Sequence, residues 1–164
     1  MVLAPDQIAE QGRLHFQAIR TKELLTPPSL LYPDMGYDDA YAIASAIVDE
    51  YKVAGYTPSG KKVGLTSNVM RRYAGIDEPD YGIIFHELCF QNESDILFSM
   101  FAQPSVEAEL CFRLKRDLAG EKISIEEVLA ATEYVVPALE IVDIRQRMDV
   151  SRKIFDTVAD NASF

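Results

Sequence analysis

The sequence predicts a single domain of mixed class, α+β or α/β with a mixed sheet. A length of 164 residues suits one domain with a hydrophobic core. The hydrophobic content of 48% and the charged content of 26% are typical of an ordinary soluble globular protein. Segments with helical spacing are interspersed along the chain with segments of period two, which indicates helices and strands in one fold.

The first third of the chain is predicted to be helical. Residues 5–25 carry apolar side chains at imperfect helical spacing, and prolines and a glycine within residues 26–36 interrupt that pattern. Residues 37–56 predict a stronger helix, with an apolar stripe at helical spacing and a glycine near its end. We therefore expect an N-terminal helical region over residues 1–58.

The rest of the chain is predicted to be richer in strands, with short helices between them. One or two helical turns are expected in SNVMRRYAG, and a helix at Ile125–Glu133 follows from the capping-box match of Ser124 and Glu127. The final segment, SRKIFDTVADNASF, is interpreted as a helix followed by a loop. Strands are predicted in the segments GKKVGLT, YGIIFHELCF, PSVEAELCFRL and VVPALEIVDI.

Charge and composition disfavour several classes of partner. A formal net charge of −10 opposes binding to nucleic acid, which needs basic side chains against the phosphates. Cys89 and Cys111 match neither a disulfide framework nor a zinc finger, so we expect two reduced thiols in a cytoplasmic protein. No signal peptide is visible, and no apolar run approaches the ~20 residues of a membrane span. We therefore expect neither nucleic acid nor a membrane as partner.

The first candidate site lies in PSVEAELCFRL, where apolar and polar residues alternate. This period of two is typical of a half-buried strand. It places Glu107 and Glu109 on one face, with Cα atoms roughly 6.5–7 Å apart. Like charges this close repel each other unless water, a proton or a cation lies between them. From these residues alone, a solvated strand face balanced by Arg113 and a metal site both stay open.

A third carboxylate lies among apolar residues. Glu140 is surrounded by valine, leucine and isoleucine in VVPALEIV, so we expect it to be partly buried. Burial of an ionised carboxylate is costly without a partner, and Arg145, Lys62 or a metal could provide one. With Glu107 and Glu109, it would form a site of hard oxygen ligands for Mg²⁺ or Mn²⁺.

Lys62 and Asp80 are candidates for acid/base chemistry. Lys61 and Lys62 lie on opposite faces of a short predicted strand, so one of them should point inward. A partly desolvated lysine near a cation has a lowered pKa, although a surface pair of lysines is the simpler interpretation. Asp80 could orient such a lysine or accept backbone N–H bonds in a turn. His86 is interpreted as a structural histidine, and His15 carries no special signal.

Five motifs occur in the order in which one known family carries them. The chain closely resembles the 2-keto-4-pentenoate hydratase branch of the fumarylacetoacetate hydrolase superfamily in GKKVGLTSNVM, EPDYGIIF, QPSVEAELCF, YVVPALEIVD and FDTVADNAS. The resemblance implies an α+β fold in which N-terminal helices precede part of a curved mixed β-sheet. Residues 59–164 would be the first part of the metal-binding, β-rich catalytic domain. Because family members continue well beyond the last motif, we expect the fold to be truncated at its C-terminus.

The resemblance also implies roles for the candidate residues. Lys62 would be the acid/base group, and Asp80 would lie near the same site. The ligands of the Mg²⁺ or Mn²⁺ ion would be three glutamates, Glu107, Glu109 and Glu140. The substrate would approach the chain at Leu65, Thr66 and Ser67.

The activity that this resemblance implies is a metal-dependent hydration in aromatic catabolism. Water would add to a 2-hydroxy-2,4-dienoate, of the 2-oxohept-4-ene-1,7-dioate or 2-hydroxypenta-2,4-dienoate type, to give a 4-hydroxy-2-oxo acid. The alternatives are a 4-oxalocrotonate-type decarboxylase, a C–C bond hydrolase on the same scaffold, and an inactive fragment that binds metal or a partner. Besides the dienoate or 2-oxo acid, the expected partners are further copies of the chain, paired through exposed sheet edges, and a decarboxylase of the same pathway.

Overall fold

The computed structural model describes residues 1–163, which divide into two compact units. The larger unit comprises Met1–Pro104 and the segment that begins at Asp143, and the smaller unit is Ser105–Val142. Both units combine helix and strand, in agreement with the mixed class that the sequence predicts. The predicted division after residue 58 follows the change from helices to strands, and it stays a prediction.

Two long helices begin the larger unit. Helix α1 covers Pro5–Thr21 and helix α3 covers Tyr37–Val53, with the single turn α2, Pro28–Leu31, between them. Proline is well suited to the first position of α1, because the N–H that it lacks has no partner there. Helix α1 ends four residues before the predicted end, since Lys22 adopts a left-handed conformation with φ of 62°. No helix among residues 1–163 combines the length and the apolar character that crossing a membrane requires.

The core of the larger unit is built on one face of α3. Ile43, Ile47 and Tyr51 are buried, and they form the apolar stripe that the sequence predicts. Phe85 stacks on Tyr51 with ring centroids 4.2 Å apart. The short helix α6, Ile154–Ala159, packs against α3 as well. Burial of these side chains fixes α3 as the central element of this unit.

A two-stranded antiparallel sheet follows the helices. Strand β1 covers Pro58–Gly64 and strand β2 covers Asp80–Phe85, in a register that places Gly64 opposite Asp80. Helix α4, Asn68–Ala74, connects the two strands. The apolar strand predicted beyond Phe85 stops there, because residues 86–88 form a 3₁₀ turn.

The smaller unit consists mainly of a second two-stranded sheet. Strand β3 covers Pro104–Leu114, strand β4 covers Thr132–Asp143, and helix α5, Ile125–Ala131, precedes β4. The predicted capping box is present at the start of α5. The Glu127 N–H donates to Ser124 Oγ at 3.2 Å, and the Ser124 N–H donates to Glu127 Oε2 at 2.8 Å.

The predicted half-burial of β3 is wrong for the described chain. Every residue of β3 after Pro104 is exposed, and the apolar Val106 and Leu110 are 62% and 65% exposed. Alternation correctly predicts which side chains share a face, but burial requires a further layer against that face. No such layer covers the apolar face of β3 among residues 1–163.

Candidate active site

Three glutamates come together on the β3–β4 sheet. One carboxylate oxygen from each of Glu107, Glu109 and Glu140 lies within 4.8 Å of the others. Glu107 and Glu109 share a face because they are two residues apart in β3, and pairing of the strands brings Glu140 of β4 beside them. Glu107 and Glu109 are exposed, whereas Glu140 is partly buried.

The donor set and its spacing fit a hard divalent cation. With metal–oxygen bonds of roughly 2.1 Å, two oxygens on one Mg²⁺ can lie up to about 4.2 Å apart. The observed spacing, at most 4.8 Å, therefore needs only a small side-chain adjustment to close on one ion. Three carboxylates so close repel one another, and a cation between them would relieve this repulsion.

The two lysines of β1 differ in their surroundings. Lys62 is partly buried, while Lys61 is exposed and places its Nζ 5.1 Å from the centroid of the Tyr81 ring. In the antiparallel register Lys62 pairs with Gly82, which is two residues after Asp80. Lys62 and Asp80 therefore lie diagonally across the strand pair on the same face.

Asp80 is a buried carboxylate, only 4% exposed. A Cβ atom on Gly64 would lie 2.2 Å from Oδ1 of Asp80, so the absence of a side chain at Gly64 leaves the room that this carboxylate occupies. Burial raises the pKa of both Tyr37 and Tyr41, and the negative charge of Asp80 raises each pKa further. Asp80 thus adds negative charge to the surroundings of two tyrosines whose pKa is raised mainly by burial.

The predicted substrate-binding residues form the loop between β1 and α4. Leu65 is in the left-handed region with φ of 54°, and Ser67 caps α4 by accepting a bond from the Met70 N–H at 3.1 Å. Arg71 holds this loop from α4, since its Nη1 donates to the carbonyls of Leu65 at 3.1 Å and Thr66 at 2.7 Å. The motifs did not predict this role of Arg71, although Arg71 lies about one helical turn after the cap residue Ser67 and therefore on the same face of α4.

The candidate residues are divided between the two units. Lys62, Asp80 and the loop of residues 65–67 belong to the larger unit, and the three glutamates belong to the smaller one. In the larger unit the register of β1 and β2 positions the candidate residues. In the smaller unit the pairing of β3 and β4 does so.

The two histidines differ from their sequence interpretations. His86 lies on a 3₁₀ turn and is exposed, whereas His15 is fully buried. The His15 Nδ1 lies 2.8 Å from the carbonyl oxygen of Gln11, and its Nε2 lies 3.1 Å from the amide nitrogen of Gln146. These contacts assign the neutral tautomer with the proton on Nδ1. Burial lowers the pKa of His15, while the negative charge of Asp160 partly opposes this shift.

The C-terminal motif FDTVADNAS, predicted as a helix followed by a loop, makes polar contacts that its sequence pattern did not predict. Asn161 accepts the Ile83 N–H at 2.8 Å and donates its amide to the Ile83 carbonyl at 3.0 Å. Residues 161–163 all have positive φ, and within residues 1–163 the buried Oγ of Ser163 has no hydrogen-bond partner. The two hydrogen bonds of Asn161 to Ile83 connect the end of the described chain to β2.

Comparison with known proteins identifies the family. No protein-family model matches the chain. The chain is 44% identical over 161 residues to a 2-keto-4-pentenoate hydratase of Paraburkholderia xenovorans, covering 98% of this chain and 60% of that protein. It is 38% identical over 157 residues to a 2-hydroxypent-2,4-dienoate hydratase of Pseudomonas putida, covering 95% of this chain and 70% of that protein. The chain belongs to the 2-keto-4-pentenoate hydratase family. This finding confirms the resemblance that the five motifs predicted.

Another member of the 2-keto-4-pentenoate hydratase family, a 2-oxo-hept-4-ene-1,7-dioate hydratase of Escherichia coli, is 40% identical over 152 residues. That match covers 90% of this chain and 57% of the Escherichia coli protein. The chain thus spans about 60% of the length of the first curated relatives that it matches.

A solved structure confirms the predicted fold. The 4-oxalocrotonate decarboxylase from Pseudomonas putida G7, complexed with magnesium and adipate, matches with a TM-score of 0.93 at 26% identity. The match covers 99% of this chain and 61% of the decarboxylase chain. The same enzyme complexed with calcium and acetate matches with a TM-score of 0.91. The hydratase-family chain therefore has the α+β fold of the fumarylacetoacetate hydrolase type.

Proposed function

We propose that this protein hydrates a 2-hydroxy-2,4-dienoate to a 4-hydroxy-2-oxo acid in aromatic catabolism, with Mg²⁺ or Mn²⁺ as cofactor. The observation that carries the proposal is the cluster of Glu107, Glu109 and Glu140, in a chain whose relatives are named as dienoate hydratases. The magnesium complex of the matching decarboxylase supports the choice of a hard divalent cation.

The three glutamates would hold the cation. Carboxylate oxygens are the ligands that Mg²⁺ prefers, and three of them leave positions open for water and substrate. When bound, the cation would supply Lewis-acid chemistry and a template for the carboxylate and C2 oxygen of the substrate. The partly buried Glu140 would anchor the set, while the exposed Glu107 and Glu109 could adjust to the ion.

Lys62 is the proposed acid/base group. For a 2-hydroxypenta-2,4-dienoate, a proton delivered to C5 and loss of the enol proton give an α,β-unsaturated ketone. Water oxygen then bonds to C4, and C3 receives a proton. Lys62, which is partly buried on β1, would move these protons, and Asp80 on the same face of the strand pair would orient it.

The loop of residues 65–67 is the proposed contact for the anionic end of the substrate. Its backbone belongs to neither a helix nor a strand. The N–H groups of Thr66 and Ser67 are therefore not needed for a ladder of backbone hydrogen bonds, and they suit a carboxylate or enolate oxygen.

The test is a spectroscopic assay of the purified protein with a small panel of dienoates, with and without Mg²⁺. Consumption of a dienoate that depends on Mg²⁺ and yields a 4-hydroxy-2-oxo acid is the expected result. Glu107→Gln and Glu140→Gln should abolish that turnover. Full activity in either variant would refute the role of the cluster, and binding of Mg²⁺ without any turnover would favour an inactive binding protein.

Decarboxylation is the second candidate, because the matching solved structure is a decarboxylase. The same cation could serve either reaction, so product analysis must separate them. Release of CO₂ would favour a decarboxylase, and two carbon fragments would favour a C–C bond hydrolase. The hydratase names of relatives at 35–44% identity favour hydration.

We further propose that copies of this chain associate, and that a decarboxylase of the same pathway is a partner. The exposed apolar face of β3, with Val106 62% and Leu110 65% exposed, supports association. Two exposed, unbridged cysteines are in keeping with a cytoplasmic location. Native mass spectrometry, alone and with the decarboxylase added, would reveal a monomer if this proposal is wrong.

A further inference from the structure

We propose that Arg71 is a positioning residue, which holds the backbone of Leu65 and Thr66 so that the loop can bind the carboxylate end of the substrate. The inference rests on the proposed function for its ligand. The ordering of the loop by Arg71 is inferred from the hydrogen bonds of this residue and does not depend on the ligand.

The guanidinium of Arg71 makes three hydrogen bonds to the segment just before it. Nη1 donates to the carbonyl oxygens of Leu65 at 3.1 Å and of Thr66 at 2.7 Å, and Nη2 donates to the side chain of Asn68. Bonds from a charged donor to backbone carbonyls are stronger than neutral ones. A single side chain therefore restrains two successive peptide units, of which the first follows the left-handed Leu65.

Restraint of the two carbonyls also restrains the amides on the other side. In a trans peptide the C=O and the following N–H point in opposite directions. The Leu65 carbonyl shares its peptide unit with the Thr66 N–H, and the Thr66 carbonyl shares its unit with the Ser67 N–H. With both carbonyls directed at Arg71, both N–H groups are directed away from it. Two neighbouring N–H groups held in this way can each donate to an oxygen of a carboxylate.

The rigid fork of arginine is suited to this role. A guanidinium presents several donors in one plane, whereas a lysine ammonium is a single point charge on a flexible stem. Arg71 is partly buried, while the adjacent Arg72 is exposed. Arg72 therefore provides a control with the same charge change one residue away.

The experiment compares Arg71→Met, Arg71→Lys and Arg72→Met with the wild-type protein in two measurements. The first is amide hydrogen exchange at Thr66 and Ser67, measured by NMR without ligand. The second is calorimetric titration with oxalate in the presence of Mg²⁺, where oxalate represents the 2-oxo acid end of the substrate. Melting temperatures report whether each variant is folded, and Arg71→Lys carries the test if Arg71→Met does not fold.

For Arg71→Met we expect exchange about tenfold faster and oxalate binding about tenfold weaker, because bonds to a charged donor are lost. Arg71→Lys should restore little of the slow amide exchange or of the oxalate affinity. Arg72→Met should match the wild type in both measurements. Unchanged exchange in Arg71→Met would overturn the inference. Full recovery in Arg71→Lys, or an equal loss in Arg72→Met, would overturn it too, because charge rather than geometry would then be responsible.

Different results would contradict the proposed function and the proposed role of Arg71. A wild-type protein that binds no oxalate would overturn the proposed ligand class and, with it, the binding half of this inference. The exchange rates at Thr66 and Ser67 need no ligand, so they would still decide whether Arg71 orders the loop.

Discussion

Gly64 lies directly opposite Asp80 in the antiparallel pair of β1 and β2, and a Cβ on Gly64 would lie 2.2 Å from Oδ1 of Asp80. No folded protein tolerates so short a contact without a shift of one of the groups. The same register places Lys62 on the face that carries Asp80. Strand pairing and the missing side chain together build the proposed acid/base pair.

Gly64→Ala should therefore displace the carboxylate of Asp80. We expect a loss of stability of about 1–3 kcal/mol from overpacking, measured by chemical denaturation, and a larger relative loss of dienoate turnover. Gly60→Ala is the matched control, because a Cβ at this position of β1 would meet nothing within 4 Å. Equal turnover in the two variants would contradict the importance of the Asp80 position.

The glutamate cluster predicts that Mg²⁺ stabilises the folded protein. A ligand that binds only the folded state raises the melting temperature by mass action. We expect a rise for the wild type in millimolar Mg²⁺, and little or none for Glu140→Gln, which loses one charged ligand. Glu133→Gln is the control, since Glu133 is an exposed residue of β4 outside the cluster. The same rise in Glu140→Gln as in the wild type would argue against metal binding by these side chains.

Because His15 is buried with a lowered pKa, we expect the free energy of unfolding to decrease in mild acid. Its pKa in the folded protein is below the ordinary value of 6.5, so the unfolded chain binds the proton more readily. The contribution of neutral His15 to the free energy of unfolding is fully present above about pH 6.5. This contribution decreases as the pH drops below that value, by at most about 1.4 kcal/mol per pH unit, until the pH passes the lowered pKa of His15 in the folded protein.

His15→Gln should flatten this dependence between pH 7.5 and pH 5, although it will reduce the stability at pH 7.5. Urea denaturation at several pH values measures the slope. The exposed His86 provides the control, and His86→Gln should keep the slope of the wild type. A slope that is unchanged in His15→Gln would assign the acid sensitivity to another group.

Local patterns were sufficient to predict most of the elements. Period-two alternation predicted β3, which extends over Pro104–Leu114, and the capping box of Ser124 and Glu127 starts α5 as expected. The predicted end of α1 was less accurate, because one residue in the left-handed conformation, Lys22, ends this helix before the predicted position. Spacing in one strand and the apolar setting of Glu140 also singled out the three glutamates that the sheet brings together.

Contacts between distant segments were not predictable in the same way. The burial of His15 depends on Gln146, which is 131 residues away, and Asn161 is fastened to Ile83 across 78 residues. Nothing in the neighbouring sequence of either residue encodes such a partner. The room for Asp80 at Gly64 likewise depends on the register of two strands.

The sequence by itself determined most of the helices and strands, the family and the carboxylates that could hold a cation, because periodicity, caps and motifs are properties of neighbouring residues. Only the tertiary structure decided which side chains are buried and which backbone groups are held. Val106 and Leu110 are exposed although they alternate like a half-buried strand, and Arg71, which lies just outside the five motifs, donates hydrogen bonds to the carbonyls of Leu65 and Thr66. Burial and restraint arise from segments that meet only when the chain folds.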